Sequence, residues 1–95
     1  MISVKPKKNS LTVSGHAGYA EKGKDIVCAG VSTLWNTLVE STARLTTDNI
    51  YYGIAEGEAS MEWNAISEKG ELLIGSFLIG VKELEAEYPE YVKIV

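Results

Sequence analysis

DIVCAGVSTLWNTLVESTARLTTDN, residues 25–49, is the stretch on which the fold turns. Val27, Val31, Leu34, Leu38 and Leu45 recur at helical spacing, and Trp35 and Val39 widen that stripe into a face. Asp25 stands where an N-cap would stand, able to accept bonds from the free N–H groups of the first turn. The helix fades at Thr46-Thr47-Asp48-Asn49. What lies on either side must bury that apolar face.

Upstream, Ile2–Val4 reads as a short strand, ended by Lys5-Pro6-Lys7-Lys8-Asn9 because proline cannot donate to a ladder. Leu11, Val13 and Gly15 alternate with Ser10, Thr12 and Ser14, completing a first hairpin that ends at Gly15-His16. His16 to Lys24 carries Gly18 and Gly23 and no period, the pattern of a mobile loop. Downstream, Ile50–Ile54 and Ala59–Trp63 read as strands of a second hairpin turning at Glu56-Gly57. A second helix places Leu73, Phe77, Val81, Leu84 and Tyr88 on one stripe, with Ile74 and Leu78 beside it, and ends at Pro89. Gly75 and Gly80 inside it each cost about 1 kcal/mol relative to Ala, which points to close packing at both. Tyr91–Val95 is a final strand returning to the sheet. The order β-β-α-β-β-α-β predicts an α+β fold over a single domain, residues 1–95, with two helices packed on a mostly antiparallel sheet. Leu72, Ile79 and Val81 make the second helix apolar around much of its circumference, so a homodimer is expected.

Composition narrows the function. The 95 residues are 45% hydrophobic and 23% charged, enough for one modest core and too apolar for a disordered chain. Thirteen acidic residues against nine basic ones give a net charge of −4, which argues against direct coating of nucleic acid. Residues 1–24 hold five Lys against Glu21 alone; such a basic edge is ordinarily solvated surface, though it could orient a charged partner. One cysteine excludes an internal disulfide, and with one histidine it excludes a four-ligand Cys/His zinc site. The pattern calls for no metal and no cofactor. Glu83, Glu85, Glu87 and Glu90 read as the solvated face of the second helix, and Trp35 and Trp63 as core or dimer contacts before groove linings. No apolar run suits a signal peptide or a membrane helix, so a reduced, cytoplasmic, soluble domain is expected.

One constellation carries chemistry: His16, Asp25 and Cys28 around the glycine-bearing loop. With Asp25 as cap, Cys28 takes the third helical position, where the helix dipole and unsatisfied N–H groups favour a thiolate. The same N–H groups could steady an oxyanion on an attacked carbonyl. His16 lies where the chain leaves the sheet, and the loop leads back to Cys28, so its imidazole could take the thiol proton and later protonate a leaving amine. Asp25 has two roles open to it, cap or orienter of the imidazole. A lone cysteine in an apolar helix is ordinarily a small buried hydrophobe, and spacing alone does not choose between these readings.

Gly15-His16-Ala17, followed after a variable loop by Asp25-Ile26-Val27-Cys28-Ala29-Gly30-Val31-Ser32, resembles the signature of the ribosomal-processing cysteine protease family, Prp. Chain length, the hairpin–helix order and the acidic helix before the last strand are similar too. The resemblance implies an α+β homodimer and a cysteine endopeptidase. It also implies the substrate: the precursor of a ribosomal protein, number twenty-seven of the large-subunit series, which loses a short N-terminal extension. On that resemblance Cys28 is the nucleophile, His16 the general base, Asp25 a supporting acid, and Ser32 a polar neighbour one helical turn beyond Cys28. Ala17–Lys24 becomes a lid over substrate, with Gly15, Gly18 and Gly23 giving it freedom. The loop Gly18-Tyr19-Ala20-Glu21-Lys22-Gly23-Lys24 departs from the shared pattern and bears on what flanks the scissile bond. Two other classes compete: a non-catalytic ribosome-associated module that binds a protein N-terminal tail, and a thiol redox sensor, which would lack a second cysteine to resolve its sulfenic acid. Dependence on His16 separates the peptidase from both.

Overall fold

The computed structural model describes residues 1–95. Its elements are β1 (Ile2–Pro6), β2 (Ser10–Ser14), α1 (Ile26–Leu45), β3 (Tyr51–Ala55), β4 (Glu58–Glu62), α2 (Glu68–Glu87) and β5 (Val92–Ile94). The order and the α+β class are those expected from the sequence. In the sheet the strands lie β3-β4-β2-β1-β5, and only β1 and β5 run parallel. β3 and β4 begin and end within one residue of the expected strands, and Gly57 makes their turn at φ 73°.

Register explains the core. Val4 pairs with Val13, Leu11 with Met61, Val13 with Ala59, and Ile2 with Val92. Directly paired residues share a face, so one side of the sheet is apolar from end to end. Both helices cover that side, closing a core of Ile2, Val4, Leu11, Met61 and Val92 against Val27, Val31, Trp35, Leu38, Phe77 and Val81. Trp35 meets Phe77 edge-on at 6.1 Å between ring centres. The opposite face presents Ser3, Thr12, Ser14 and Ser60.

β1 runs through Pro6 instead of stopping before it. The Lys7 N–H donates to the Ser10 carbonyl at 2.8 Å, which makes Pro6–Leu11 the alternate pair that exchanges no N–H bond. On its other side β1 pairs with β5 only as far as Val4. Proline is therefore placed where an N–H would have no acceptor.

The connection between the hairpins and helices is held by Asp48. Its carboxylate accepts the Ser67 N–H at 3.0 Å and the Ser67 hydroxyl at 2.7 Å, and Ser67 Oγ caps α2 by accepting the Gly70 N–H at 3.1 Å. Those bonds, the Ser67 hydroxyl foremost, hold the Asp48 carboxyl below its ordinary range. Gly70 must be glycine, because a Cβ there would collide with the Asp48 carboxylate and with Ile66.

Three expectations about α2 need correction. Gly80 does pack closely, with Leu34 methyls 2.8 and 3.0 Å from where a Cβ would sit, but Gly75 meets nothing within 4 Å. Val81 is fully buried in the core, leaving Leu72 and Ile79 as the exposed apolar residues, 75% and 65% accessible. Glu85 is not free surface: its carboxylate accepts the Ile94 N–H at 2.9 Å and clasps the edge of β5.

Candidate active site

α1 starts under the control of Asp25. One carboxylate oxygen accepts the N–H groups of Val27 and Cys28, at 3.0 and 2.9 Å, and the other accepts the Tyr19 N–H at 3.1 Å. The Cys28 amide is the largest influence holding the Asp25 carboxyl below its ordinary range, followed by the opposing cost of desolvation and the further help of Tyr19 and Ala20 amides. The expected cap is there, and no hydrogen bond joins Asp25 to His16. One expectation is overturned here. The first-turn N–H groups of Val27 and Cys28 are committed to the cap, and that of Ala29 donates to the Asp25 carbonyl at 3.0 Å, so none of the three is free for an oxyanion.

Cys28 is half-buried at the third position of α1, and its side chain also helps to hold the Asp25 carboxyl down. The Ala17 N–H approaches Sγ at 3.5 Å across the loop. Ala17 is 4% accessible and belongs to the core cluster, so its methyl group pins the amide in place.

His16 is exposed at the end of the first hairpin, and its backbone is held firmly. The Gly15 N–H donates to the Gly57 carbonyl at 2.8 Å, and the Met1 nitrogen donates to the His16 carbonyl at 2.6 Å. Gly15 adopts φ 89°, and a Cβ there would strike the Met1 carbonyl. The imidazole lies against the β3–β4 turn, its Nε2 3.6 Å from where a Cβ on Gly57 would stand. It makes no hydrogen bond to Cys28 in this arrangement, although both side chains border the same groove.

The loop between them is neither helix nor strand, as read from the sequence, yet it has anchors the sequence reading missed. Tyr19 packs edge-on against Tyr88 at 5.4 Å and Tyr91 at 5.2 Å, far along the chain at the α2–β5 junction. Glu21 and Lys24 pair at 3.1 Å on the surface. Gly18 and Gly23 take φ 69° and 90° with open space around them.

The groove has a volume of about 750 Å³. Cys28, Ser32, Trp35 and Asn36 of α1 form one wall, while Val13, Ala59 and Ile54 of the sheet form the floor and far side. Asp25, Gly15, Gly18 and Gly23 also border it. Ser32 is exposed one turn beyond Cys28. Trp35 is thus both a core residue and a groove wall, whereas Trp63 is buried elsewhere. The hairpin β3–β4 was legible as structure, but nothing in its pattern marked Gly57, Ile54 or Ala59 as sharing a groove with His16 and Cys28. No group of three or more His, Cys, Asp or Glu side chains is placed to hold a metal ion, and neither helix is long and apolar enough to cross a membrane.

A family model described as cysteine protease Prp matches residues 1–93. The ribosomal processing cysteine protease Prp of Staphylococcus aureus is 29% identical over 93 residues, covering 93% of this chain and 86% of its own. That of Mycoplasma pneumoniae is 29% identical over 94 residues, covering 97% and 91%. Among solved structures, the S. aureus protease Prp with a covalently linked product peptide superposes at a TM-score of 0.88 with 22% identity, covering 98% of this chain and 94% of that one. SMU.848 from Streptococcus mutans superposes at 0.80 with 33% identity, covering 98% and 89%.

Proposed function

The chain belongs to the cysteine protease Prp family, and from that premise we propose that it cleaves a peptide bond with Cys28 as nucleophile and His16 as general base. The observation that carries this reading is the meeting of Cys28, at the start of α1, and His16, at the end of the first hairpin, on one groove. An extended peptide lies in that groove between α1 and the β3–β4 hairpin. His16 takes the thiol proton as Sγ attacks the carbonyl carbon, then delivers it to the leaving amine, leaving a thioester on Cys28. His16 next draws a proton from water, which attacks the thioester and frees the enzyme. In this reading the imidazole, now beside Gly57, closes on the sulfur when substrate binds, a tightening that catalytic pairs commonly undergo.

The substrate in this reading is the precursor of ribosomal protein number twenty-seven of the large subunit, trimmed of a short N-terminal extension in the cytoplasm. Relatives named for ribosomal processing support it, as does an S. aureus relative solved with a substrate peptide. Asp25 supports the site by capping α1 beneath the nucleophile, and Ser32 offers a hydroxyl along the same wall. The segment Gly18–Lys24 acts as the lid, flexing at Gly18 and Gly23, while Ala17 and Gly15, which were expected to move with it, are held by the core and by the Gly57 carbonyl. The working form is a homodimer, for which the exposed Leu72 and Ile79 speak.

The test is direct. The protein is incubated with a peptide spanning the precursor's N-terminal extension and first mature residues, beside Cys28→Ala and His16→Ala, and products are read by mass spectrometry. One cut by the parent, absent from both variants, is the expected result. A peptide left whole by all three sinks the substrate assignment, and if it still binds, a tail-recognition module is the better account.

A further inference from the structure

Two of the amides that a helix start would offer an oxyanion, those of Val27 and Cys28, are already taken by the Asp25 side chain. A tetrahedral adduct on Cys28 nevertheless puts a full negative charge on an oxygen one bond from the attacked carbon, in a half-buried site where leaving it unpartnered is costly. One backbone donor does reach the reacting sulfur, the Ala17 N–H at 3.5 Å. We propose that this amide is the oxyanion donor of the catalytic centre, a role resting on the Cys28–His16 reading above.

The geometry favours a donor in that place. The amide is aimed at Sγ before substrate arrives, so it costs no reorganisation when charge develops. As Sγ bonds to the carbonyl carbon, the π pair of the C=O moves to oxygen, and the new oxyanion lies within reach of the donor that faced the sulfur. The Ala17 methyl is sealed in the core, which fixes the direction of the N–H. His16, the preceding residue, is fixed by bonds at its carbonyl and at Gly15, so base and donor are set by one short piece of backbone. Asp25 contributes from the other side by receiving the Tyr19 N–H and holding the loop over α1.

A backbone amide is removed by replacing Ala17 with lactic acid, which turns the His16–Ala17 amide into an ester and keeps the methyl group. Ligation at Cys28 makes the full chain accessible by synthesis. Two reagents then read the site by mass spectrometry without any knowledge of the natural substrate. para-Nitrophenyl acetate acylates the sulfur through an oxyanion: the thiol proton goes to His16, the S–C bond forms, and nitrophenolate leaves as the C=O is restored. Iodoacetamide alkylates the sulfur by displacing iodide, with no oxyanion. Both rates scale with the supply of thiolate, so their ratio reports the oxyanion alone. That ratio should fall by about tenfold or more in the ester chain, given that one lost donor costs roughly 10²–10³ in rate on demanding substrates. An unchanged ratio overturns the proposal. Failure of the dyad would look different, since His16→Ala would then leave both rates of the parent as they were. Should the ester chain not fold, the parent labelled at Ala17 decides by NMR. Adduct formation with acetyl-leucinal should slow exchange of the Ala17 amide proton, and exchange as fast in the adduct as in the free protein overturns the proposal equally.

Discussion

The two glycines inside α2 should respond to the same substitution with opposite signs. Gly75→Ala adds a methyl group that meets nothing within 4 Å. It removes backbone freedom from the unfolded chain and improves helix propensity, a gain of about 0.4–1 kcal/mol. For a domain of this size that raises Tm by roughly 2–8 °C. Gly80→Ala makes the same gain but drives its methyl to 2.8 Å from a Leu34 methyl. Overpacking of that kind costs about 1–3 kcal/mol, roughly 2 kcal/mol here because both Leu34 methyls must give way. A net loss of about 1 kcal/mol follows, with Tm lowered by about 4–8 °C. Urea titrations of both variants at two protein concentrations provide the assay, with Cm read at unchanged m. Equal gains would refute the claim that α1 and α2 touch at Gly80. A loss at Gly75 would refute the claim that its surface is open. Because Gly75 lies on the same side of α2 as Leu72 and Ile79, that loss, if dependent on concentration, would locate the dimer contact there.

Asp25 and Asp48 both titrate below the ordinary carboxylate range in the folded chain. Their stabilisation is therefore complete above the unfolded value, about 4, and is lost as pH falls through the folded values. Thermal melts at descending pH should hold steady to about that point and then drop, less steeply in Asp25→Asn and Asp48→Asn than in the parent. Tyr19→Ala removes two edge-on ring contacts, and should lower stability by about 1 kcal/mol while speeding hydrogen exchange across residues 17–24. Gly57→Ala has room for its methyl beside His16 but not the backbone angle, and should cost about 1–2 kcal/mol by urea titration. Ile54→Ser, at a position 75% accessible, should leave Tm within error and raise KM for the cleaved peptide. Unchanged KM would remove Ile54 from the peptide's path.

The order of elements was legible because each apolar pattern here has only one partner that can bury it. The stripe through Val27, Val31 and Trp35 and the alternation through Leu11 and Val13 meet in one core. His16 and Cys28 were legible as candidates by type and by the loop between them, and the helix cap Asp25 by its place before α1. What stayed hidden depends on contacts distant in sequence. Tyr19 finds Tyr88 and Tyr91 only after β5 has paired with β1, and Gly57 reaches His16 only through the register of β2 on β4. Pro6 was misread because a rule about missing donors was applied without knowing that this position faces no acceptor. Two of the free amides expected at the start of α1 failed for the opposite reason: the cap that marks the helix also takes those of Val27 and Cys28.

The groove itself follows from a mismatch of widths. Five strands spaced about 4.8 Å apart make a sheet some 24 Å across, whereas two helices of about 10 Å cover only about 20 Å of it. α2 packs at the β5 end, so the shortfall falls at the other edge, on β3. Tyr52 and Ile54 show it, since they pair with Met61 and Ala59 and face the helices' side yet remain exposed. α1 forms the border of the covered area, and its first turn brings Cys28 to that border. The hairpin β3–β4 bounds the other side, and its turn supports both the backbone of Gly15 and the ring of His16. Cys28 and His16 thus come from the covered and uncovered margins of one sheet face, with the uncovered strip between them. Removing β3 or adding a third helix would abolish the groove without touching either residue, which is why the groove depends on the element count as much as on His16 and Cys28.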